Sequence, residues 1–350
     1  MPPVVVYDSW RGRYADSPRA IHRELVRRDA PYRHVWVIGE GQPTPEHAEV
    51  VRPHSPAHLA ALARARYVVT NDLLPLYYAK PPGAKVLQTW HGTPLKKIGL
   101  DVVDPSYPHP ARYRWHLRRN SRLWDHLISQ NPFSTPIFRR AFGYSGSVLE
   151  VGYPRNDELA ALTDDVIAAT RARFGIPGGA RTITYAPTWR DSGARAEQLE
   201  TDVRRLATGL AEGAFVLLRL HKHEASALRG SDLPPNVIDL SPHGDVNDVL
   251  VATDVLVTDY SSLMFDFAVT GRPIHLYVPD LEHYRDVERG WYFDLLNEGP
   301  GPAHRSIDEL IAAVASGDVD TRAVRRFRDR FAPLDDGRAA ARVVEAVFSP

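Results

Sequence analysis

The chain has no cysteine among its 350 residues. That excludes disulfides, zinc ribbons, iron–sulfur clusters and a cysteine nucleophile, and it is compatible with a reducing compartment. An excess of either charge is also missing. Lys+Arg and Asp+Glu both number 43, so the formal net charge is zero. A surface that is basic overall, as bulk nucleic-acid binding would want, is therefore not expected, although local basic patches remain open. No run approaches the roughly 18 apolar residues needed to span a bilayer. Only three valines precede the polar residues at the N-terminus, too few for a signal-peptide core. These features point to a cytoplasmic protein that does not cross the membrane. Several chemical signatures are absent as well. There is no G-x-G-x-x-G after a strand, no Walker lysine loop and no G-x-S-x-G elbow, which removes support for NAD enzymes, P-loop ATPases and α/β-hydrolases. The one Asp-x-Asp, Asp318-Val-Asp320, stands between helical segments and does not read as a metal–nucleotide site.

What is present is an ordinary globular composition, 43% hydrophobic and 25% charged. Short β-branched runs alternate with longer amphipathic stretches. One series of strands is expected at Val4–Tyr7, His34–Ile38, Tyr67–Thr70, Lys85–Trp90, Leu127–Ser129 and Val148–Val151. A second is expected at Thr182–Tyr185, Phe215–Leu220, Asn236–Leu240, Asp254–Thr258 and Ile274–Tyr277. The runs are apolar without strict alternation, as in strands buried on both faces of a parallel sheet. Helical patterns cover Pro18–Arg28, Asp157–Phe174, Ala196–Leu210, Leu263–Val269, Ile307–Ala315 and Thr321–Phe348. The class is α/β: two doubly wound, Rossmann-like domains facing each other across a cleft. The expected division is 1–155 and 156–350, with the last helix packing back on the first domain.

A doubly wound sheet binds ligands beyond the carboxyl ends of its strands, and the polar clusters stand there. Gln88–Lys97 places His91 and Gly92 after a strand. A histidine there can take a proton near neutral pH, and Gly92 permits close approach. A satisfied histidine beside a turn is the bland alternative. Thr184–Asp191 offers Thr188, Arg190 and Asp191, with Arg190 either a phosphate clamp or part of a salt-bridged turn. In Leu218–Glu224 the period of two puts Arg219, His221 and His223 on one face. A cationic cluster for a diphosphate, a metal pair and a solvated strand end are the readings, and no third metal ligand stands at a telling distance. Thr258-Asp-Tyr-Ser-Ser262 opens a helix that Ser261 or Ser262 would cap, giving an anion site or a plain N-cap, with Asp266 one turn on to meet a ribose hydroxyl. Finally, Ala111–Arg140 carries seven arginines and one acid with tryptophans interleaved. Arg112, Arg114, Trp115, Arg118, Arg119 and Arg122 read as a surface for anionic lipid or as a helix bridging to its own acids. Nucleic acid is the weaker option.

In order along the chain, Tyr7-Asp-Ser-Trp-Arg-Gly-Arg-Tyr-Ala-Asp-Ser-Pro-Arg-Ala-Ile-His22, Thr89-Trp-His-Gly-Thr-Pro-Leu-Lys96, Gly152-Tyr-Pro-Arg-Asn-Asp157, Tyr185-Ala-Pro-Thr-Trp-Arg190 and Thr258-Asp-Tyr-Ser-Ser262 resemble the CDP-glycerol glycerophosphotransferase family of teichoic-acid primases and polymerases. The resemblance covers nearly the whole chain. It implies a GT-B fold, with an N-terminal acceptor and membrane-surface domain and a C-terminal CDP-alcohol domain. It implies transfer of glycerol phosphate from CDP-glycerol to a lipid-linked acceptor with release of CMP, at the cytoplasmic face of the membrane. His91 matches the family's first-domain histidine, the expected base, and His221 its second, beside the diphosphate. Ser261 and Ser262 match its donor-phosphate turn. No obligatory metal and no other cofactor is expected. Trp10 stands where the family often has Phe, and Lys222 where Pro or a similar residue is expected. The long N-terminal extension of the large polymerases is missing, which favours a primase, a short-chain enzyme or a catalytic module. CDP-ribitol transfer, a GT-B nucleotide-sugar glycosyltransferase and a non-catalytic nucleotide-binding protein at the membrane surface are the alternatives.

Overall fold

A computed structural model describes residues 2–348, apart from 11, 104–108, 191–195, 222–223, 226–227, 229–230, 289 and 318–320. Asp191, Lys222, His223 and the Asp318–Asp320 pair lie outside the described residues.

Two parallel sheets organise the chain. The first has seven strands, β1 (Val4–Asp8), β2 (Arg33–Val37), β3 (Glu49–Val51), β4 (Ala65–Thr70), β5 (Lys85–Gln88), β6 (His126–Ser129) and β7 (Ser147–Glu150), in the order β3-β2-β1-β4-β5-β6-β7. The second has six, β8 (Thr182–Ala186), β9 (Phe215–Leu218), β10 (Val237–Asp239), β11 (Val255–Thr258), β12 (Ile274–Tyr277) and β13 (Ala303–His304), in the order β10-β9-β8-β11-β12-β13. Alternate residues of each strand enter different cores. Val6, Val35, Val68 and Val86 join one cluster, while Val5, Trp36, Val69 and Leu87 join another on the opposite face. The second sheet divides likewise, with Leu256 and Ile274 on one side and Ile183, Val216 and Val257 on the other. Two buried faces explain strands that are apolar throughout. The two-lobed, doubly wound GT-B class expected from the sequence is the one observed.

Helices of nine or more residues are numbered α1 (Asp16–Arg27), α2 (Pro56–Arg64), α3 (Pro110–Ser121), α4 (Ser134–Phe142), α5 (Asp164–Arg173), α6 (Ala196–Gly209), α7 (Ile307–Ser316), α8 (Thr321–Phe331) and α9 (Ala339–Val347). Two expected helices are broken. The 157–174 stretch stops at Ala160 and restarts at Asp164, where the Thr163 hydroxyl accepts the Val166 N–H. The 321–348 stretch divides into α8 and α9 around Pro333 and Gly337. Both Asp157 carboxylate oxygens accept from the start of α9, from the Ala339 and Ala340 N–H groups, at 2.8 Å each. Val343, Val344, Val347 and Phe348 then lie with Ile21 and Leu25 of α1 against the first sheet. β3 and β13 escaped the sequence reading because they are edge strands of three and two residues with no apolar run to mark them.

In each sheet the strand order reverses at the first strand of its lobe, between β1 and β4 and between β8 and β11. The turns after β1, β4 and β5 face those after β9 and β11, so the crevice lies at the switch points.

Candidate active site

The crevice encloses about 1030 Å³. From the first lobe Trp10, Arg13, Asp72, Trp90 and His91 line it. From the second come Arg219, His221, Ser262 and Asp266. Three of the residues around His91 hold left-handed backbone that non-glycine residues rarely adopt: Trp10 at φ 44°, Asp16 at φ 63° and Trp90 at φ 52°. Each is held by specific bonds. The Trp10 N–H donates to Asn71 Oδ1 at 3.0 Å, and its indole Nε1–H to Asp16 Oδ2 at 2.8 Å. The Trp90 N–H donates to Gln88 Oε1 at 2.9 Å. Strain concentrated in this way is typical of functional sites.

The His91 ring lies against both tryptophans, 4.0 Å from Trp90 in a stacked arrangement and 4.4 Å from Trp10. Its Nδ1 is 2.8 Å from the Asn71 carbonyl oxygen. A carbonyl only accepts, so Nδ1 carries the proton and Nε2 has a free lone pair. Burial holds the imidazole below its ordinary pKa, against the pull of the Asn71 bond and of Asp16. At neutral pH the ring is a neutral acceptor.

Opposite it, a methyl group on Gly92 would stand 2.8 Å from Ser262 Oγ and 2.9 Å from its Cβ. Glycine is thus required where the first lobe's turn meets the second. His221 is exposed in the crevice, with its ring 5.6 Å from Trp189. Arg219 Nη1 donates to the carbonyls of Leu240, Ser241 and His243 at 2.8, 3.0 and 2.6 Å. Burial, and then Arg13, bring Arg219 down to about 10, so it remains a cation at neutral pH.

Four expected donor contacts are corrected. Arg190 is 2% exposed and does not line the crevice. Its guanidinium bridges Asp259 at 2.9 Å and Asp280 at 2.7 Å, and it stacks on Tyr260 and Tyr284. Arg190 is therefore an internal tie, not a phosphate clamp. Thr188 donates its N–H to Asp259, and its buried hydroxyl is outside the crevice lining. Ser261 also lies outside that lining, and its Oγ accepts the Leu263 N–H at 3.3 Å. Ser262 makes no side-chain cap. The helix that follows, Leu263–Phe267, has only five residues, so its dipole adds little to anion binding. Asp266 borders the crevice, yet both its oxygens accept from Arg155, at 3.0 and 2.8 Å. That leaves the carboxylate engaged and not directed at a ribose.

Arg155 is the residue the sequence reading missed. It stands inside the quoted Gly152–Asp157 motif, but only the fold shows its partners. Besides Asp266 it donates to Asp16 Oδ2 at 3.1 Å and to the His91 carbonyl at 3.0 Å. Burial would raise Asp16, but Arg155, the Ser17 N–H and the Trp10 indole overcome it and hold the carboxyl below its ordinary value. Asp16 and Asp266 come from opposite lobes, so this arginine pins them together next to His91.

A family model described as CDP-Glycerol:Poly(glycerophosphate) glycerophosphotransferase matches residues 2–349. The chain belongs to this family. It is 36% identical over 361 residues to the teichoic acid poly(glycerol phosphate) polymerase of Bacillus subtilis, covering 99% of this chain and 48% of that protein. It thus spans about half the length of that relative. It is 35% identical to the teichoic acid glycerol-phosphate transferase of Staphylococcus aureus, covering 99% of this chain and 92% of that one. The solved wall teichoic acid polymerase TagF superposes with a TM-score of 0.91 at 32% identity, over 99% of this chain and 88% of that one. A putative UDP-N-acetylglucosamine 2-epimerase from Listeria monocytogenes shares the fold alone, at TM-score 0.57 and 15% identity, over 100% of this chain and 96% of that one.

In this member of the family α3 runs from the crevice to the surface. Tyr113 and Leu117 line the crevice, while Trp115 is 57% exposed. Arg112, Arg118 and Arg122 are exposed. Arg114 and Arg119 turn partly inward and donate to the carbonyls of Val102 and Tyr78, each at 2.8 Å, so their charged ends are less presented at the surface than expected. Among the described residues no helix is long and apolar enough to cross a membrane.

Proposed function

We propose that the protein transfers glycerol phosphate from CDP-glycerol to a hydroxyl of a lipid-linked, teichoic-acid-type acceptor and releases CMP. The observation that carries this reading is a neutral His91, tied through Nδ1 and open at Nε2, in the same crevice as Arg219, His221 and Ser262. His91 Nε2 accepts the proton of the acceptor hydroxyl as its oxygen attacks the β-phosphorus. The bond from that phosphorus to the bridging oxygen breaks, and CMP departs with the electron pair. Arg219, His221 and the Ser262 hydroxyl offset charge on the phosphates, since such transfers are driven by positioning and electrostatics. The reading needs no obligatory metal. The acceptor enters along α3, whose Trp115 and exposed arginines rest on anionic lipid at the cytoplasmic face.

The test incubates the protein with CDP-glycerol, CDP-ribitol and a UDP-sugar, each with a lipid acceptor, and reads products by mass spectrometry. CMP release from CDP-glycerol, unchanged by chelator, is the expected result. His91→Ala is expected to lose about 10²–10⁴-fold in turnover while still binding CDP-glycerol. Near-normal turnover in that variant would remove the base from the mechanism.

A further inference from the structure

The first lobe carries a second cation toward the donor side. Arg13 lines the crevice, on the loop that follows β1. That loop is rigid. The Gly12 and Arg13 N–H groups both donate to the Ser9 carbonyl, at 3.0 and 2.8 Å, and the Gly39 N–H donates to the Gly12 carbonyl at 2.8 Å. A methyl group on Gly12 would stand 2.4 Å from the Gly39 nitrogen, so the two backbones are in direct contact. The contact continues toward the other lobe. Gln42 Oε1 stands 3.7 Å from where a Gly244 Cβ would be, and the neighbouring His243 carbonyl accepts from Arg219. Arg13 and Arg219 therefore approach one shared end of the crevice from opposite sides.

Neither guanidinium is neutralised by direct pairing. Arg219 has carbonyl partners, and among the described residues no carboxylate pairs with Arg13. Several nearby acids are engaged elsewhere, while Glu40 and Asp72 also line the crevice. Asp245 holds Arg19 at 2.9 Å, and Asp16 and Asp266 hold Arg155. Two like charges facing each other repel, and Arg13 is among the causes that lower Arg219. An anion between them turns that repulsion into two charge-assisted, fork-shaped contacts.

We infer that Arg13 and Arg219 form a phosphate clamp that spans the lobes, with the acceptor lobe supplying one jaw. This rests on the transfer reading above for its substrate, and it adds a binding residue from the other lobe. The phosphate is that of the donor diphosphate or that of a phosphodiester in the acceptor.

The experiment compares wild type, Arg13→Gln and Arg13→Lys, each checked for an unchanged melting temperature. Inorganic pyrophosphate is titrated by calorimetry at low and moderate salt, and steady-state KM is measured for CDP-glycerol and for the lipid acceptor. Arg13→Gln is expected to weaken pyrophosphate about 10- to 100-fold and to flatten its salt dependence, with Arg13→Lys between the two. A rise in donor KM assigns the clamp to the diphosphate, and a rise in acceptor KM assigns it to the acceptor. If wild type binds no pyrophosphate, or if Arg13→Gln binds it as well as wild type, the clamp is wrong. The titration needs no turnover, so failure of the transfer reading shows separately, as no CMP release by wild type.

Discussion

Gly92 occupies one close approach between the two lobes. Its missing methyl is what allows the turn carrying His91 to meet Ser262. Gly92→Ala is expected to cost about 1–3 kcal/mol, the usual range for overpacking. Adding Ser262→Gly should return most of that, because it removes the atoms that clash. Urea unfolding of the single and double variants is the check, and purely additive losses would show that the clash is elsewhere. At this scale the sequence set His91 and Gly92 just after a buried strand and left the role of His91 open; the fold puts His91 in the crevice and Gly92 against Ser262. The sequence misled at Arg190 and Asp266. A charge on a loop reads the same whether it meets a ligand or a carboxylate 90 residues away, as Arg190 meets Asp280.

The segment between α8 and α9 ties the C-terminus to the first lobe through Asp335. Its oxygens accept from the Tyr153 N–H at 2.9 Å, Gln130 Nε2 at 2.9 Å and Asn156 Nδ2 at 3.2 Å. Burial is the main cause that pushes this carboxyl up to about 7, against those hydrogen bonds. A raised carboxyl means that the folded chain binds more protons than the unfolded one between the ordinary aspartate value and about 7. Stability from this group is therefore greatest at acid pH and declines as pH rises through that window. Asp335→Asn does not titrate, so its stability relative to wild type should improve from pH 5 to pH 8. Denaturation midpoints for both proteins across that range are the measurement, and a constant difference would refute the coupling. The α9 boundary was not legible in the sequence. Its apolar stripe continues the pattern of α8, whereas the carboxylate that receives its first turn, Asp157, is remote in the chain.

Across the whole molecule, Arg155 couples the lobes. Its guanidinium is buried between Asp16 of the first and Asp266 of the second, at 3.1 and 2.8 Å. Arg155→Met would leave two buried carboxylates without their cation, an expected loss of about 3–5 kcal/mol. It should lower the calorimetric midpoint without parting the lobes, which the Lys97–Gly290 and Tyr292–Leu95 backbone bonds still join. A midpoint equal to that of wild type would show that the pairing adds no stability. The sequence by itself determined that there are two doubly wound lobes, which strands build them apart from the short edges β3 and β13, and that His91, Arg219, His221 and Ser262 follow strand ends. Those features depend on local periodicity and turn chemistry, which neighbouring residues carry. Only the tertiary structure decided which charges face the crevice and which are internal ties. Pairings such as Arg155 with Asp16 and Arg190 with Asp259 join residues far apart in the chain, and no local pattern encodes a partner brought near by folding.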